Sequence, residues 1–293
     1  MQLDQNQLAA LAAVLRFGSF ELAAQDLHVT ASAISQRIKA LEERLGATVV
    51  HRGQPCTATP VGARLAKHAE DIGVLTSALQ RDLGLDPGQR PSRIRVAVNA
   101  DSLATWFVAA MAECEGMLFD LVIDDQDHSA NWLRRGEVSA AVTALSTPVA
   151  GCDMAKLGAL TYEATASPAY MARWLPEGLT EEALCKAPCL VFNQKDQLQR
   201  RWLEIYVGTS VAPPEHFLPS TQAFIDAALA GVGWGMNPQM LVRDLLREGR
   251  LCQLTSDSTL AIDLSWQVSR VMAPALAPLT TAVQRAARAG LVQ

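Results

Sequence analysis

Long apolar segments are missing from the 293-residue sequence. Charge, glycine or proline interrupts each apolar stretch before it reaches the roughly 18 residues that a membrane span requires. The first residues, MQLDQNQL, also lack the basic and apolar segments of a secretory signal. We therefore expect a soluble cytoplasmic protein with no membrane partner.

Metal-binding and catalytic signatures are missing as well. The 6 cysteines form no CxxC pair and no Cys/His cluster with zinc spacing, so we expect reduced thiols and no metal. The chain contains neither GxSxG nor HExxH. Gly231, Gly233 and Gly235 follow a predicted helix and precede a predicted strand, which reverses the order of a nucleotide-binding loop. These patterns argue against an enzyme and against a bound cofactor.

Charge is scarce and unevenly placed. Only 19% of the residues are charged while 49% are hydrophobic, so the chain can fill sizeable cores. Its length suits two or three domains. The overall net charge is −5, yet residues 30–67 contain six bases and two acids. Positive charge is therefore concentrated in one amino-terminal segment.

That segment has the pattern of a helix-turn-helix. Two short predicted helices end at Gly18 and near the turn at His28, and a third opens at Thr30 and ends at Gly46. The third helix buries its apolar positions Ile34, Ile38, Leu41 and Leu45. Ser32, Gln36 and Lys39 lie on the opposite side, with Ser35 beside them and Arg37 near the other edge. Such groups suit base edges and phosphates in a major groove, although a three-helix bundle with a polar surface would share the pattern.

A predicted wing and a long helix follow. Residues 47–59 alternate around Val49 and Val50, and Arg52 near the turn is a candidate phosphate contact. A helix of about 24 residues is predicted from Pro60 to Gly84. Leu65, Ile72 and Leu79 are seven residues apart, which predicts a homodimer through this helix. These leucine and isoleucine side chains could instead pack against the chain's own domain.

The remaining residues alternate predicted strands and helices, which indicates a parallel sheet. Polar residues follow the strands, where ligands bind in such sheets. Asn99, Asp101 and Ser102 follow the first strand, Asp124 to Asp127 the second, and Thr143 the third. Ser102 and helix amides could hold a carboxylate, and the aspartates a cation. The alternatives are a helix-dipole partner at Asp101, solvated loop acids, or a divalent-metal site whose spacing does not match a calcium loop.

A second alternating unit begins near residue 162, and the chain then returns to the first unit. We predict an α+β multidomain fold with a winged helix-turn-helix, a long linker helix and a two-lobed α/β effector domain like a periplasmic binding protein. The predicted boundaries are 1–59, 60–90 and 91–293, with lobe I at about 91–161 and 267–293 and lobe II at about 162–266.

Taken together, these residues resemble the LysR-type transcriptional regulators. The similarity lies in FELAAQDLHVTASAISQRIKALEERLG and in TPVGARLAKHAEDI. A narrower similarity to the ArgP/LysG branch, whose members sense basic amino acids, lies in NADSLATW, LRRGEV, KLGAL and STQAF.

The resemblance implies a transcription factor that binds double-stranded DNA as a dimer of dimers, contacts RNA polymerase, and responds to lysine, arginine or histidine near an amino-acid exporter or metabolic gene. It places the DNA contacts at Thr30, Ser32, Ser35, Gln36, Lys39 and Arg52. It places the effector contacts at Asn99, Asp101, Ser102, Asp124, Thr143, Thr221 and Asn237.

Three rival functions remain. A periplasmic-type solute binder would need an export signal and would have no helix-turn-helix. An enzyme would need a catalytic motif such as GxSxG or HExxH, which the sequence lacks. A replication-origin or architectural DNA-binding protein without effector control is the strongest alternative, because the same DNA-binding residues would serve it.

Overall fold

The structure is a computed structural model that describes residues 3–85 and 91–293. The predicted boundary at residue 90 falls outside these residues.

Three helices form the amino-terminal unit: α1 (Gln5–Phe17), α2 (Phe20–Asp26) and α3 (Ala31–Leu45). Polar side chains start each helix, because Asp4, Ser19 and Thr30 accept hydrogen bonds from the first free backbone amides. The inner side of α3 buries Ile34, Ile38 and Leu41, as its spacing predicted. The helix-turn-helix interpretation is confirmed at the level of the fold.

A short wing, β1 (Val50–His51) and β2 (Thr57–Ala58), follows α3. Its base is tied to the next helix, because the Thr59 amide donates to the Val49 carbonyl at 3.2 Å. Gly62 lies directly under this bond. A Cβ at that position would stand 1.9 Å from the Val49 oxygen, so any larger residue would push the wing away.

The linker helix α4 (Pro60–Asp82) begins at the Thr59 cap with proline in its first turn. Both of its ends are used in packing. Leu65 packs on the helix-turn-helix core, while Val74, Leu75 and Ala78 pack on the larger domain. Leu79 and Leu83 are exposed by 58% and 64%. The chain's own domains therefore use part of the apolar surface of α4 and leave its carboxyl-terminal leucines available.

A polar contact joins α4 to the larger domain. The buried Lys67 ammonium is 2.6 Å from both oxygens of Asp71 and 2.5 Å from the hydroxyl of Ser139. The Ser139 hydroxyl also donates to Asp71 at 2.8 Å. Charges that are removed from water in this way are tolerated because they are paired and hydrogen-bonded.

We expect Lys67→Met to lower the free energy of unfolding by about 2 kcal/mol, because Asp71 would keep its charge without a cationic partner in a poorly hydrated site. Urea denaturation followed by circular dichroism measures this loss. Lys186→Met is the matched control, since Lys186 pairs with Glu182 four residues away on the surface, where the expected change is within about 0.5 kcal/mol. Equal losses in the two variants would contradict the assigned burial.

The larger domain is built on nine strands: β3 (Ser92–Val98), β4 (Met117–Ile123), β5 (Ala140–Thr143), β6 (Cys152–Ala166), β7 (Cys189–Val191), β8 (Glu215–Phe217), β9 (Gly235–Pro238), β10 (Cys252–Gln253) and β11 (Leu260–Ser269). Its main sheet has the order β10-β6-β11-β5-β3-β4, with β9 on β6. The β3 strand pairs in parallel with β4 and β5, which confirms the predicted parallel unit.

Helices cover this sheet: α5 (Ala100–Ser102), which continues through a π-helical segment at Leu103–Phe107 into α6 (Val108–Ala112), then α7 (Ala130–Arg134), α8 (Pro168–Trp174), α9 (Glu181–Leu184), α10 (Leu198–Trp202) with a π-helical segment at Leu203–Val207, α11 (Thr221–Leu229), α12 (Gln239–Arg247) and α13 (Ala277–Gly290).

Two antiparallel strands, β6 and β11, connect the two lobes. The first lobe holds β3 to β5 with α5 to α7 and α13, and the second holds β7 to β10 with α8 to α12. The sequence pattern by itself indicates a strand over residues 161–166, whereas β6 begins at Cys152. The earlier half of β6 gives a weaker strand pattern because Gly158, at φ +115°, interrupts the alternation of side chains. Next to it, Ala159 pairs with Val292 near the carboxyl terminus.

Candidate DNA interface and ligand cleft

The outer side of α3 presents the residues that the sequence singled out for DNA. Ser32, Gln36 and Lys39 are exposed with the half-buried Ser35 beside them, while the half-buried Arg37 lies toward the other edge of the helix. Thr30 is exposed, but its hydroxyl caps the helix by accepting from the Ala33 amide at 3.1 Å. Lys39 forms a 3.6 Å surface ion pair with Glu43. The structure thus brings Ser32, Ser35, Gln36 and Lys39 together on one accessible face.

A concave surface lies between this face and the wing. It is lined by residues of α2, α3 and the wing, among them Phe20, Ser32, Ser35 and Arg52. The side chain of Arg52 is 56% exposed. Hydroxyl groups and a guanidinium around a concave, accessible surface can receive a phosphate backbone and adjoining base edges.

A second candidate site lies in the cleft between the two lobes of the larger domain. A small cavity of about 20 Å³ there is lined by residues of both lobes: Asp101, Phe192, Asp196, Leu198, Thr221, Phe224, Met236, Asn237 and Pro238. Sequence reasoning had named Asp101, Thr221 and Asn237 among them.

Asp101 is the centre of the hydrogen bonds across this cleft. The Tyr162 hydroxyl donates to its Oδ2 at 2.9 Å, and the Thr221 hydroxyl donates to its Oδ1 at 2.8 Å. Burial raises the pKa of Asp101, and the two hydroxyl donors oppose that rise. Burial and the neighbouring Asp101 raise the pKa of Tyr162 well above its ordinary value, so the phenol stays a donor. One carboxylate from the first lobe is therefore tied to both a crossover strand and the second lobe.

Asp196 lies near Asp101, and Asp125 lies near Asp196. Asp196 is buried and accepts from the amides of Phe192 and Leu198 at 3.0 Å each. Its charge raises the pKa of Asp101 and of Asp125. Burial is the main cause that brings the pKa of Asp125 to about 6, with Asp127 and Asp196 adding to it. Since like charges raise each other's pKa, the cleft holds negative charge that a cation would relieve.

Asp124, in contrast, already has a cationic partner. Lys195 of the second lobe lies 3.0 Å from its Oδ1, and the Trp132 indole donates to its Oδ2 at 2.8 Å. Burial alone would raise the pKa of Asp124, but these two donors bring it below its ordinary value. Lys195 thus already neutralises Asp124, whereas no lysine or arginine of the described residues forms an ion pair with Asp101, Asp125 or Asp196.

Neutral polar groups near the first strand end lack partners. Both side-chain polar atoms of Asn99, the hydroxyl of Ser102 and Oδ1 of Asn237 are buried without a hydrogen bond among the described residues. Buried polar atoms normally have partners, so these atoms are suited to a polar ligand. Thr143 differs, because its fully buried hydroxyl is bonded to Ser265 and Gln267.

Sequence reasoning missed Tyr162, Asp196 and Lys195. The last two residues do carry a signal in the sequence, since FNQKD follows the parallel strand β7. Polar residues that follow such strands are candidates for ligand contacts. Tyr162 gave no such signal because it lies inside β6.

Other kinds of site were also sought. In residues 3–85 and 91–293, no three His, Cys, Asp or Glu side chains are placed to hold a metal ion. Within the same described ranges, no helix combines the length and apolar character of a membrane span.

Comparison with known proteins gives a consistent result. Residues 5–63 match the bacterial regulatory helix-turn-helix protein, lysR family, and residues 87–288 match the LysR substrate binding domain. The HTH-type transcriptional regulator LysG of Mycobacterium bovis is 43% identical over 293 residues, which cover 99% of this chain and 95% of that protein.

Solved structures agree over the full length. The crystal structure of ArgP from Mycobacterium tuberculosis has a TM-score of 0.80 at 42% identity and covers 100% of this chain and 99% of its own. Full-length LysG from Corynebacterium glutamicum with bound effector Arg has a TM-score of 0.66 at 33% identity, with coverage of 99% and 100%. The named relatives are transcriptional regulators and not enzymes. The chain belongs to the LysR family of bacterial regulatory helix-turn-helix proteins.

Proposed function

We propose that the chain is a transcriptional regulator whose DNA binding is controlled by a basic amino acid in the cleft between the lobes. The observation that carries the proposal is the pair of carboxylates Asp101 and Asp196, which line one cavity between the lobes, with Asp125 in electrostatic contact with Asp196. An ammonium or guanidinium would be paired by these acids. The arginine bound in the related LysG supports this ligand class.

The α-carboxylate of the ligand is an anion and requires hydrogen-bond donors, unlike the ligand's cationic groups. Asn99 and Ser102 are buried at the start of the helix that follows β3, and their polar atoms have no partners among the described residues. We assign them to the ligand's carboxylate. An amide, a hydroxyl and the first amides of a helix are suitable donors to an anion.

Regulation then follows from linkage. The cleft residues come from both lobes, so the ligand binds best when the lobes are closed around it. A ligand shifts a conformational equilibrium only by its differential affinity, and a 100-fold shift requires about 2.7 kcal/mol. The contact of Lys67 and Asp71 with Ser139 connects this domain to α4 and provides a route by which lobe movement reaches the DNA-binding unit.

On the DNA side, Ser32, Ser35, Gln36, Arg37 and Lys39 of α3 are assigned to the major groove and Arg52 of the wing to the backbone. The exposed Leu79 and Leu83 of α4 are assigned to a homodimer. We further propose that two such dimers assemble in the cytoplasm on a promoter near an amino-acid exporter or metabolic gene. There they would act together with RNA polymerase.

A thermal-shift screen of the twenty amino acids on the full-length chain tests the ligand class. A ligand at 100 times its Kd stabilises the folded state by about 2.7 kcal/mol, which corresponds to about 5 °C in a protein of this size. We expect lysine, arginine or histidine to give this shift and glutamate and leucine to give none. A shift only with acidic or apolar amino acids would overturn the assignment.

Ligand affinity should depend on pH through Asp125. Its pKa of about 6 means that it is ionised at pH 7.5 and mostly protonated at pH 5, and only the ionised form attracts a cation. Arginine, whose own charge does not change in this range, should therefore bind about tenfold more weakly at pH 5 than at pH 7.5. Isothermal titration at both pH values measures this ratio.

Asp125→Asn should remove most of that pH dependence. It should also raise the melting temperature at pH 7.5 without ligand, because a carboxyl with a raised pKa binds more protons folded than unfolded between about pH 4 and 6, so its ionisation destabilises the fold above that window. An Asn variant with an unchanged pH profile would exclude Asp125 from the site.

A further inference from the structure

We infer that Glu42 and Phe20 are positioning residues that hold the wing arginine, Arg52, in the orientation in which it meets DNA. The inference rests on the proposed function only in taking Arg52 as a DNA contact. It adds two residues, one acidic and one aromatic, that would not themselves be chosen as DNA-binding groups.

The guanidinium of Arg52 is held from two sides. Its Cζ lies 5.4 Å from the centre of the Phe20 ring, within the range of a cation–π contact. Its Nη2 lies 3.9 Å from Oε2 of Glu42. This separation is too long for a hydrogen bond, so the ion pair orients the guanidinium without consuming its N–H donors.

Glu42 also fixes the backbone that carries Arg52. Its second oxygen, Oε1, accepts from the Val49 amide at 2.9 Å at the start of the wing. The Glu42 side chain is only 17% exposed, so its carboxylate is partly shielded from water and held by α3. One carboxylate therefore links α3 to both the wing backbone and the wing arginine.

The far side of the wing is fixed independently. The Cys56 amide donates to the Gly18 carbonyl at 2.8 Å, just before the Ser19 cap of α2. Phe20 is the first residue of α2 and lines the concave surface together with Arg52 and Ser32. The Phe20 ring that contacts the guanidinium thus belongs to the same three-helix unit as α3. This packing sets the spacing between Arg52 and α3.

Such preorganisation has a measurable consequence. A long side chain that is fixed only on binding loses rotamer entropy, and one that is already fixed loses less. Loss of either support should weaken DNA binding about three- to tenfold. Glu42 also repels phosphates, so simple electrostatics predicts the opposite sign, a gain of affinity when its charge is removed. The sign for Glu42→Gln therefore separates positioning from plain charge.

The experiment is a double-mutant cycle on full-length protein. The probe is a duplex that the unaltered protein selects from a random pool, and Kd is measured by fluorescence anisotropy at several salt concentrations. Glu42→Gln keeps the acceptor for Val49, and Phe20→Leu keeps an apolar side chain. Each is measured alone and combined with Arg52→Met. Phe20→Tyr, which keeps an aromatic face, should retain the affinity. Glu43→Gln is the charge control and should keep or raise affinity, because it frees Lys39.

We expect Glu42→Gln and Phe20→Leu each to cost threefold or more in the unaltered background and less than twofold beside Arg52→Met. Equal costs in both backgrounds, or none in the first, would overturn the positioning roles. Failure of the proposed DNA contact looks different: Arg52→Met would then leave both Kd and the salt dependence unchanged, whereas a phosphate contact contributes about 0.9 to the logarithmic salt slope.

Discussion

An Asp101→Asn variant is expected to bind arginine about 100-fold more weakly than the unaltered chain, a loss of about 2.7 kcal/mol. The substitution keeps the size of the side chain but removes the charge that the ligand's cation meets in a poorly hydrated cleft. It also places an NH2 group against one of the two hydroxyls, Tyr162 or Thr221, that donate to Asp101 in the folded chain. Isothermal titration of arginine measures the loss.

The control for this prediction is Asp153→Asn. Asp153 is an exposed acid that pairs with Arg270 on the surface, so its variant should bind arginine as before. DNA binding without ligand should be the same in both variants, because neither residue lies in the amino-terminal unit. Unchanged arginine affinity in Asp101→Asn would remove Asp101 from the site.

Gln36→Ala is expected to weaken binding to the selected duplex about 30-fold, while binding to a scrambled duplex stays within twofold. Gln36 is exposed in the middle of the outer side of α3, and a glutamine that pairs with adenine contributes about 1–3 kcal/mol of discrimination. Anisotropy titrations on the two duplexes measure the ratio.

Two variants serve as controls for this prediction: Lys39→Met as a phosphate contact and Gln194→Ala as a residue away from DNA. A lysine that contacts phosphate should weaken both duplexes alike and reduce the salt slope by about 0.9, so its effect differs in kind from that of Gln36. Gln194 is exposed in the second lobe, and its variant should change neither duplex. Equal losses on both duplexes for Gln36→Ala would assign it to the backbone instead of to bases.

The amino-terminal fold was predictable because its determinants are local. Ile34, Ile38 and Leu41 follow helical spacing, and Ser19 and Thr30 cap helices within three residues of the amides they bind. The supports of the wing were not predictable in the same way. Phe20 and Arg52 are separated by two helices in the sequence, and only the packing of α2 beside the wing brings the ring under the guanidinium.

The cleft shows the same division. The strand-end rule placed Asp101 and the acids at 124–127 together because parallel strands end at one edge of the sheet. It could not tell which acid is neutralised. The pairing of Asp124 with Lys195 joins residues 71 apart and depends on how the second lobe closes over the first. Sequence spacing carries no information about that closure.

The most direct test of the account is a hydroxyl-radical footprint of the full-length protein on its selected duplex, with and without arginine. The account predicts that arginine changes the protected pattern, by extending, shortening or bending it, and that Asp101→Asn no longer responds. An architectural DNA-binding protein would give one broad pattern that is the same with and without arginine. That outcome, obtained at an arginine concentration that saturates the protein, would contradict the claim that the cleft controls the DNA-binding unit.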